Sequence, residues 1–226
     1  MAEQSASELA RYRLFQLISP SLPIGGFTYS QGLEWAVEAG WVKDRSSLEQ
    51  WLTHVLISSV ATLELPVIDR FYLALEHQDE TALEQYSELL YSSRETRELR
   101  AEERQRGLAL KTLLKQLGIE WPASVQSHPN QLLGFCLAAH HWRIPAADLK
   151  QGYLWSWLEN MVMAGVKLVP LGQTDGQLAM VNISEQFPTA IERASQIEEW
   201  MIGSFTPSVA LASSLHEQQY TRLFRS

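Results

Sequence analysis

Apolar residues in this chain recur at offsets of three and four, the rhythm that gathers them on one face of an α-helix. The pattern is clearest where Leu154, Trp157, Leu158, Met161, Val162, Gly165 and Val166 follow one another. It repeats at Leu48, Trp51, Leu52, Val55 and Leu56. There Ser46 and Glu49 stand at the spacing of a capping box, in which each side chain satisfies a free backbone N–H, so a helix is expected to begin at Ser46. Leu83, Tyr86, Leu90 and Tyr91 follow Asp79, a good N-cap, and Leu110, Leu113, Leu114 and Leu117 precede Gly118, a good stop. Further helices are expected at about 7–18, 30–39, 66–77, 94–107, 130–142 and 187–202, with Ser30 as a cap and Pro66 and Pro129 in first turns. Leu178 to Ser184 is the one serious strand candidate, and a single short strand cannot make a sheet. Pro122 to Pro129 reads as a loop. The pattern predicts an all-α fold, a single compact domain of roughly ten helices over residues 1–226.

Composition supports a packed core. At 226 residues, 46% hydrophobic and 19% charged, the chain lies away from the disordered class and near the upper size for one core. Its net charge of −8 argues against a broad phosphate-binding surface, so nucleic acid is not an expected partner. The start carries no basic segment leading into an apolar run. Apolar runs such as Leu132 to Ala139 fall short of the roughly 20 residues that span a bilayer. A cytoplasmic protein without a membrane span is the expectation. Cys136 is the only cysteine and sits in an apolar run, which reads as core.

Enzyme chemistries fit poorly. His216-Glu217 lacks the second histidine one turn later that a zinc protease needs, because Tyr220 stands there. His140 and His141 point about 100° apart on a helix and cannot both ligate one ion unaided. Tyr29-Ser30-Gln31-Gly32 resembles half a nucleophile elbow, yet Thr28 occupies the position that requires glycine. Gly25-Gly26 is followed by no Gly-Lys-Ser/Thr and reads as a turn. The run from Arg94 to Arg106 mixes both signs and reads as a solvated face with weak ion pairs such as Glu102 to Arg106.

Taken together, several segments resemble one family. They are Leu22-Pro23-Ile24-Gly25-Gly26-Phe27-Thr28-Tyr29-Ser30-Gln31-Gly32-Leu33-Glu34 near the start, Ser93-Arg94-Glu95-Thr96-Arg97-Glu98-Leu99-Arg100 in the middle, Met163-Ala164-Gly165-Val166-Lys167-Leu168-Val169-Pro170-Leu171-Gly172-Gln173 further on, and His216 to Ser226 at the end. In this order they resemble the UreF urease accessory proteins. The match is weakest at about 118–130, and nothing is carried over to that loop. The resemblance implies an all-α homodimer that joins a UreD-type (also called UreH-type) accessory protein and the nickel-carrying UreG-type GTPase on the urease apoprotein. It implies a chaperone rather than an enzyme: a GTPase regulator that binds no cofactor tightly, with nickel handled by the complex.

Within that frame, Lys167 is a candidate for facing the GTPase. It closes the strongest helix pattern, where a cation also suits the helix dipole. Phe27 and Tyr29, presented from a turn, are candidate interface anchors or a buried plug. Ala164 and Gly165 fit close approach of another helix or subunit, or internal packing. Residues 207–226 are expected to form a partner-binding helix and tail, with Tyr220, Arg222, Leu223, Phe224 and Arg225 meeting the UreD/UreH-type protein. Leu223 and Phe224 between two arginines suit a segment that orders on a partner, and deleting 217–226 should abolish capture while leaving helicity unchanged. Two alternatives stay open: an all-α metal-dependent hydrolase that draws ligands such as His140 and His141 from distant helices, and a helical scaffold unrelated to urease.

Overall fold

Helix follows helix from Ala2 onward in the computed structural model, which describes residues 2–226 and the side chains from Glu8. The α-helices are α1 (Ala2–Ile18), α2 (Leu33–Glu38), α3 (Arg45–Val55), α4 (Glu64–His77), α5 (Glu80–Ser92), α6 (Arg97–Gln116), α7 (Gln131–His141), α8 (Ala146–Leu168), α9 (Gln173–Ser184), α10 (Phe187–Ser195) and α11 (Pro207–His216). No strand occurs among the described residues. The strand candidate Leu178 to Ser184 is the second half of α9, where Ala179, Met180 and Ile183 turn inward at helical spacing.

The core is one contiguous cluster built around α4, α7 and α8. Helix α7 is buried from Gln131 to Ala139, which is why its apolar residues show no single face. Phe71 of α4 and Phe135 of α7 are fully buried there, as is Cys136, whose thiol is pushed up by burial and left inert. Residues 45–77 form the one stretch among those described that is long and apolar enough to cross a membrane, with mean hydropathy 1.5 in its best window. That window is 67% buried inside the fold, because α3 and α4 line the core.

Several helix boundaries differ from the sequence expectation, each for a local reason. Helix α3 is capped by Asp44, not Ser46: the Asp44 carboxylate accepts from the Ser47 N–H at 2.8 Å, and Ser47 Oγ accepts from the Asp44 N–H. Pro129 lies outside α7, because Asn130 is the cap and accepts from the Leu133 N–H at 2.8 Å. Ser30 stands two residues before the Gly32 cap position, since Gln31 and Gly32 adopt left-handed backbone before α2 begins, yet its hydroxyl accepts from the first-turn Glu34 N–H at 3.3 Å as expected of a cap. The segments 94–107 and 110–117 are one helix, α6, that runs through Gly107. A Cβ there would stand 2.4 Å from the Pro129 carbonyl, so glycine is present for close approach of the loop before α7. The helix expected over 187–202 stops at Ser195, and Glu199 is drawn aside onto Arg70 and Tyr86.

Candidate functional site

Three distant segments meet on one face. The first is the glycine turn: Gly25 takes left-handed backbone, Gly26–Thr28 form a single helical turn, and Gly32 is left-handed with φ 81°. A Cβ on Gly32 would lie 2.9 Å from the backbone N of Ser213, so glycine is required there both by φ and by the approach of α11. The second is the end of α8, where Lys167 stands exposed in the last turn and Val169 is already extended before Pro170. The third is the tail after α11.

The tail folds back onto its own chain. Phe224 is only 6% exposed, and Ser226 is fully buried. Glu34 of α2 accepts from the Leu223 N–H at 2.6 Å, from the Phe224 N–H at 2.9 Å, and faces His216 Nε2 at 3.1 Å. His216 Nδ1 faces Glu98 of α6 at 2.6 Å, so this buried ring has a carboxylate within hydrogen-bond distance of each nitrogen. Arg222 donates to the other oxygen of Glu98. Ser226 Oγ donates to Glu102 at 2.8 Å, and the Ser226 carbonyl accepts from both the N–H and the hydroxyl of Ser30. Three carboxylates on α2 and α6 therefore clamp the tail as a strap, through two of its backbone N–H groups, the Arg222 guanidinium and the Ser226 hydroxyl.

Behind the clamp lies a polar chamber of about 50 Å³, lined among others by Gln31, Glu64, Arg94, Glu102, Arg106 and Tyr153. That volume admits a few water molecules. Arg94 spans it, donating to Glu64 at 2.7 Å and to Glu103 at 2.8 Å and 3.0 Å. Burial works against the Arg94 charge, and the two carboxylates more than restore it. Arg106 Nε, Glu64 Oε2 and Trp157 Nε1 are buried without a partner among the described residues. The ion pair Glu102 to Arg106, expected on a solvated face, is thus inside: the Glu102 side chain is 4% exposed. Glu98, Glu102 and Glu103 all turn inward.

The structure gathers several of the residues singled out from sequence. The Lys167 ammonium sits over the Phe27 ring at 5.9 Å and over the Phe224 ring at 5.8 Å, tying the turn, α8 and the tail together. Tyr29 is buried and donates to Gln105 at 2.7 Å; burial first, then Glu102, holds its hydroxyl above the usual range, with Thr28 and Arg225 working the other way. Tyr29 is therefore a plug, while Phe27 is half exposed beside Lys167. Tyr220 is fully exposed and Leu223 is 65% exposed. Phe224 is not: it belongs to the core cluster. Ala164 and Gly165 serve internal packing, since a Cβ on Gly165 would lie 2.5 Å from Leu48 of α3. His140 and His141 stay apart from this face, with His140 edge-on to Tyr72. No group of three His, Cys, Asp or Glu side chains among the described residues is placed to hold a metal ion.

Sequence reasoning missed Glu34, Glu98 and Ser226. The spacing of Glu98 and Glu102 one turn apart, and a buried-looking Glu34 among apolar neighbours, were the available signals.

Comparison with known proteins fits this geometry. The family model described as UreF matches residues 42–184, from just before α3 to the end of α9. The urease accessory protein UreF of Alcanivorax borkumensis is 52% identical over 225 residues, covering 96% of this chain and 98% of its own length. That of Pseudomonas putida strain W619 is 48% identical over 224 residues, covering 97% and 99%. The chain belongs to the UreF family of urease accessory proteins.

Proposed function

We propose that this chain is a non-catalytic urease maturation factor, a homodimer that joins a UreD/UreH-type accessory protein and a UreG-type GTPase on the urease apoprotein and regulates the GTPase during nickel insertion. A role in urease maturation follows from family membership. The observation that carries the rest is the convergence of Phe27, Lys167 and the tail on one supported surface. A regulator acts by presenting cations or ordering switch loops, which needs surface groups on a rigid scaffold rather than a substrate pocket. Lys167 has no carboxylate partner among the described residues and stands where a helix end and two rings fix its position.

The tail divides its labour in this reading. Phe224 anchors it, while the exposed Tyr220, Leu223 and Arg225, with Arg222 held by Glu98, are offered to the UreD/UreH-type protein. Nickel is cargo of the assembly rather than a resident metal of this chain.

Two variants test the assignment. Leu223→Asp alters an exposed side chain and leaves the Leu223 N–H on Glu34, so capture of the UreD/UreH-type protein should fall by at least about tenfold, the loss expected for an interface anchor. Its thermal midpoint should match that of the unaltered chain. Undiminished capture would remove the tail tip from the interface. Lys167→Ala should assemble normally, with changed GTP turnover or urease activation in the reconstituted complex. If both rates equal those of the unaltered chain, Lys167 serves only to hold the two rings.

A further inference from the structure

Apart from Arg106, which pairs with Glu102 inside, the charges on α6 are sorted by sign. At about 100° per residue, Arg97, Arg100, Arg104, Leu108, Lys111 and Lys115 fall within one sector of the helix, and Glu98, Glu102 and Glu103 fall outside it. The structure carries this through. Every carboxylate of α6 is drawn to an interior contact: Glu98 to His216 and Arg222, Glu102 to Arg106 and Ser226, Glu103 to Arg94. Arg97, Arg104 and Lys115 are exposed and make no ion pair among the described residues. The result is a cationic stripe roughly 27 Å long at 1.5 Å per residue.

Local stability does not account for this stripe. Like charges one turn apart, such as Lys111 and Lys115, cost a helix a few tenths of a kcal/mol each. Arg97 sits in the first turn, where the helix dipole disfavours a cation. The chain as a whole carries a net charge of −8, so the stripe is a local reversal. At its C-terminal end it opens on a groove of about 780 Å³ lined by Leu108, Lys111, Lys115, Ile119, Glu120 and Trp121. Leu108 is 43% exposed in the middle of the stripe, and Lys111 lies over the Trp121 ring at 5.7 Å.

We propose that the outer face of α6 docks an acidic, amphipathic helix of a partner protein, its carboxylates set along Arg97, Arg104, Lys111 and Lys115 and one apolar side chain seated between Leu108 and Trp121. Charge complementarity selects an acidic occupant. The apolar groove, unused by a phosphate backbone, selects a protein over a nucleic acid.

The test uses the full-length chain and a fluorescent synthetic helix of Glu, Leu and Ala with its carboxylates in one row. The triple variant Arg97→Glu, Arg104→Glu, Lys115→Glu alters only side chains without an internal ion pair, and circular dichroism checks its folding. Binding by the unaltered chain should weaken with salt and fall at least about tenfold in the triple variant, as removal of steering and pairing charges requires. Leu108→Ala should weaken it as well, at unchanged salt dependence. Equal affinity in the triple variant, or no binding by the unaltered chain, overturns the proposal. Tighter binding to duplex RNA or to phosphatidylserine vesicles than to the peptide overturns it in favour of those surfaces. Loss of self-association in the triple variant, with peptide binding intact, assigns the stripe instead to a second copy, whose α5 exposes Glu84 and Glu88.

Discussion

Arg94→Met should destabilise the chain by about 3–5 kcal/mol, the cost of leaving buried carboxylates without their cation. Arg94 is the only cation that touches Glu64 or Glu103 among the described residues, and both carboxylates are nearly sealed from solvent. Methionine fills similar length but returns no donor, and Glu64 already has one oxygen without a partner. The measurement is urea unfolding followed by circular dichroism, read as a shift in midpoint at constant slope. A companion variant, Arg94→Met with Glu64→Gln, should recover part of the loss, because one of the orphaned charges is then gone. A loss under about 1 kcal/mol would mean that the chamber is solvated well enough to treat these groups as surface pairs.

Glu34→Ala should release the tail. One carboxylate receives two backbone N–H donors from the strap and faces His216, and charged hydrogen bonds of this kind contribute about 1.5–3 kcal/mol each. A loss of about 3 kcal/mol in docking corresponds to roughly a hundredfold rise in the undocked population. Carboxypeptidase digestion reads it directly: Ser226 is buried when the tail is docked, so its removal should accelerate by about that factor. Glu34→Gln keeps an acceptor oxygen and should restore part of the protection. An unchanged digestion rate would assign the strap's hold to Phe224 and the Ser30 contacts instead. The same geometry changes what deletion of 217–226 means. The deletion takes Phe224 out of the core and strips Glu34, Glu98 and Glu102 of partners, so it perturbs stability as well as binding. Point changes at Tyr220 and Leu223 separate the two effects.

How much of this was legible in advance depends on the range of the interaction. Helix periodicity at Leu154 to Val166 and at Leu48 to Leu56 is a short-range property, fixed by 3.6 residues per turn, and it survives in α8 and α3. Asp79 and Gly118 are equally local and stop or start helices where expected. The strand candidate failed because five apolar residues in seven fit both periods, and only packing against α3 and α8 decides for the helix. The helices expected at 94–107 and around Leu110 to Leu117 are continuous, and Gly107 within them is explained only by the backbone of Pro129 pressed against it.

The sequence by itself determined an all-α chain, the glycine turn before α2, and a tail with an apolar pair between two arginines. The tertiary structure alone decided where charges and ends go. Glu34 meets Phe224 across 190 positions, and Glu98 meets His216 across 118. Pairings at such separation depend on which faces the packed helices turn toward each other. A sequence period records only that a face exists, so a run of mixed charge looked solvated until folding drew its acids inward with Arg94 and Arg106 and left Arg97 and Arg104 outside.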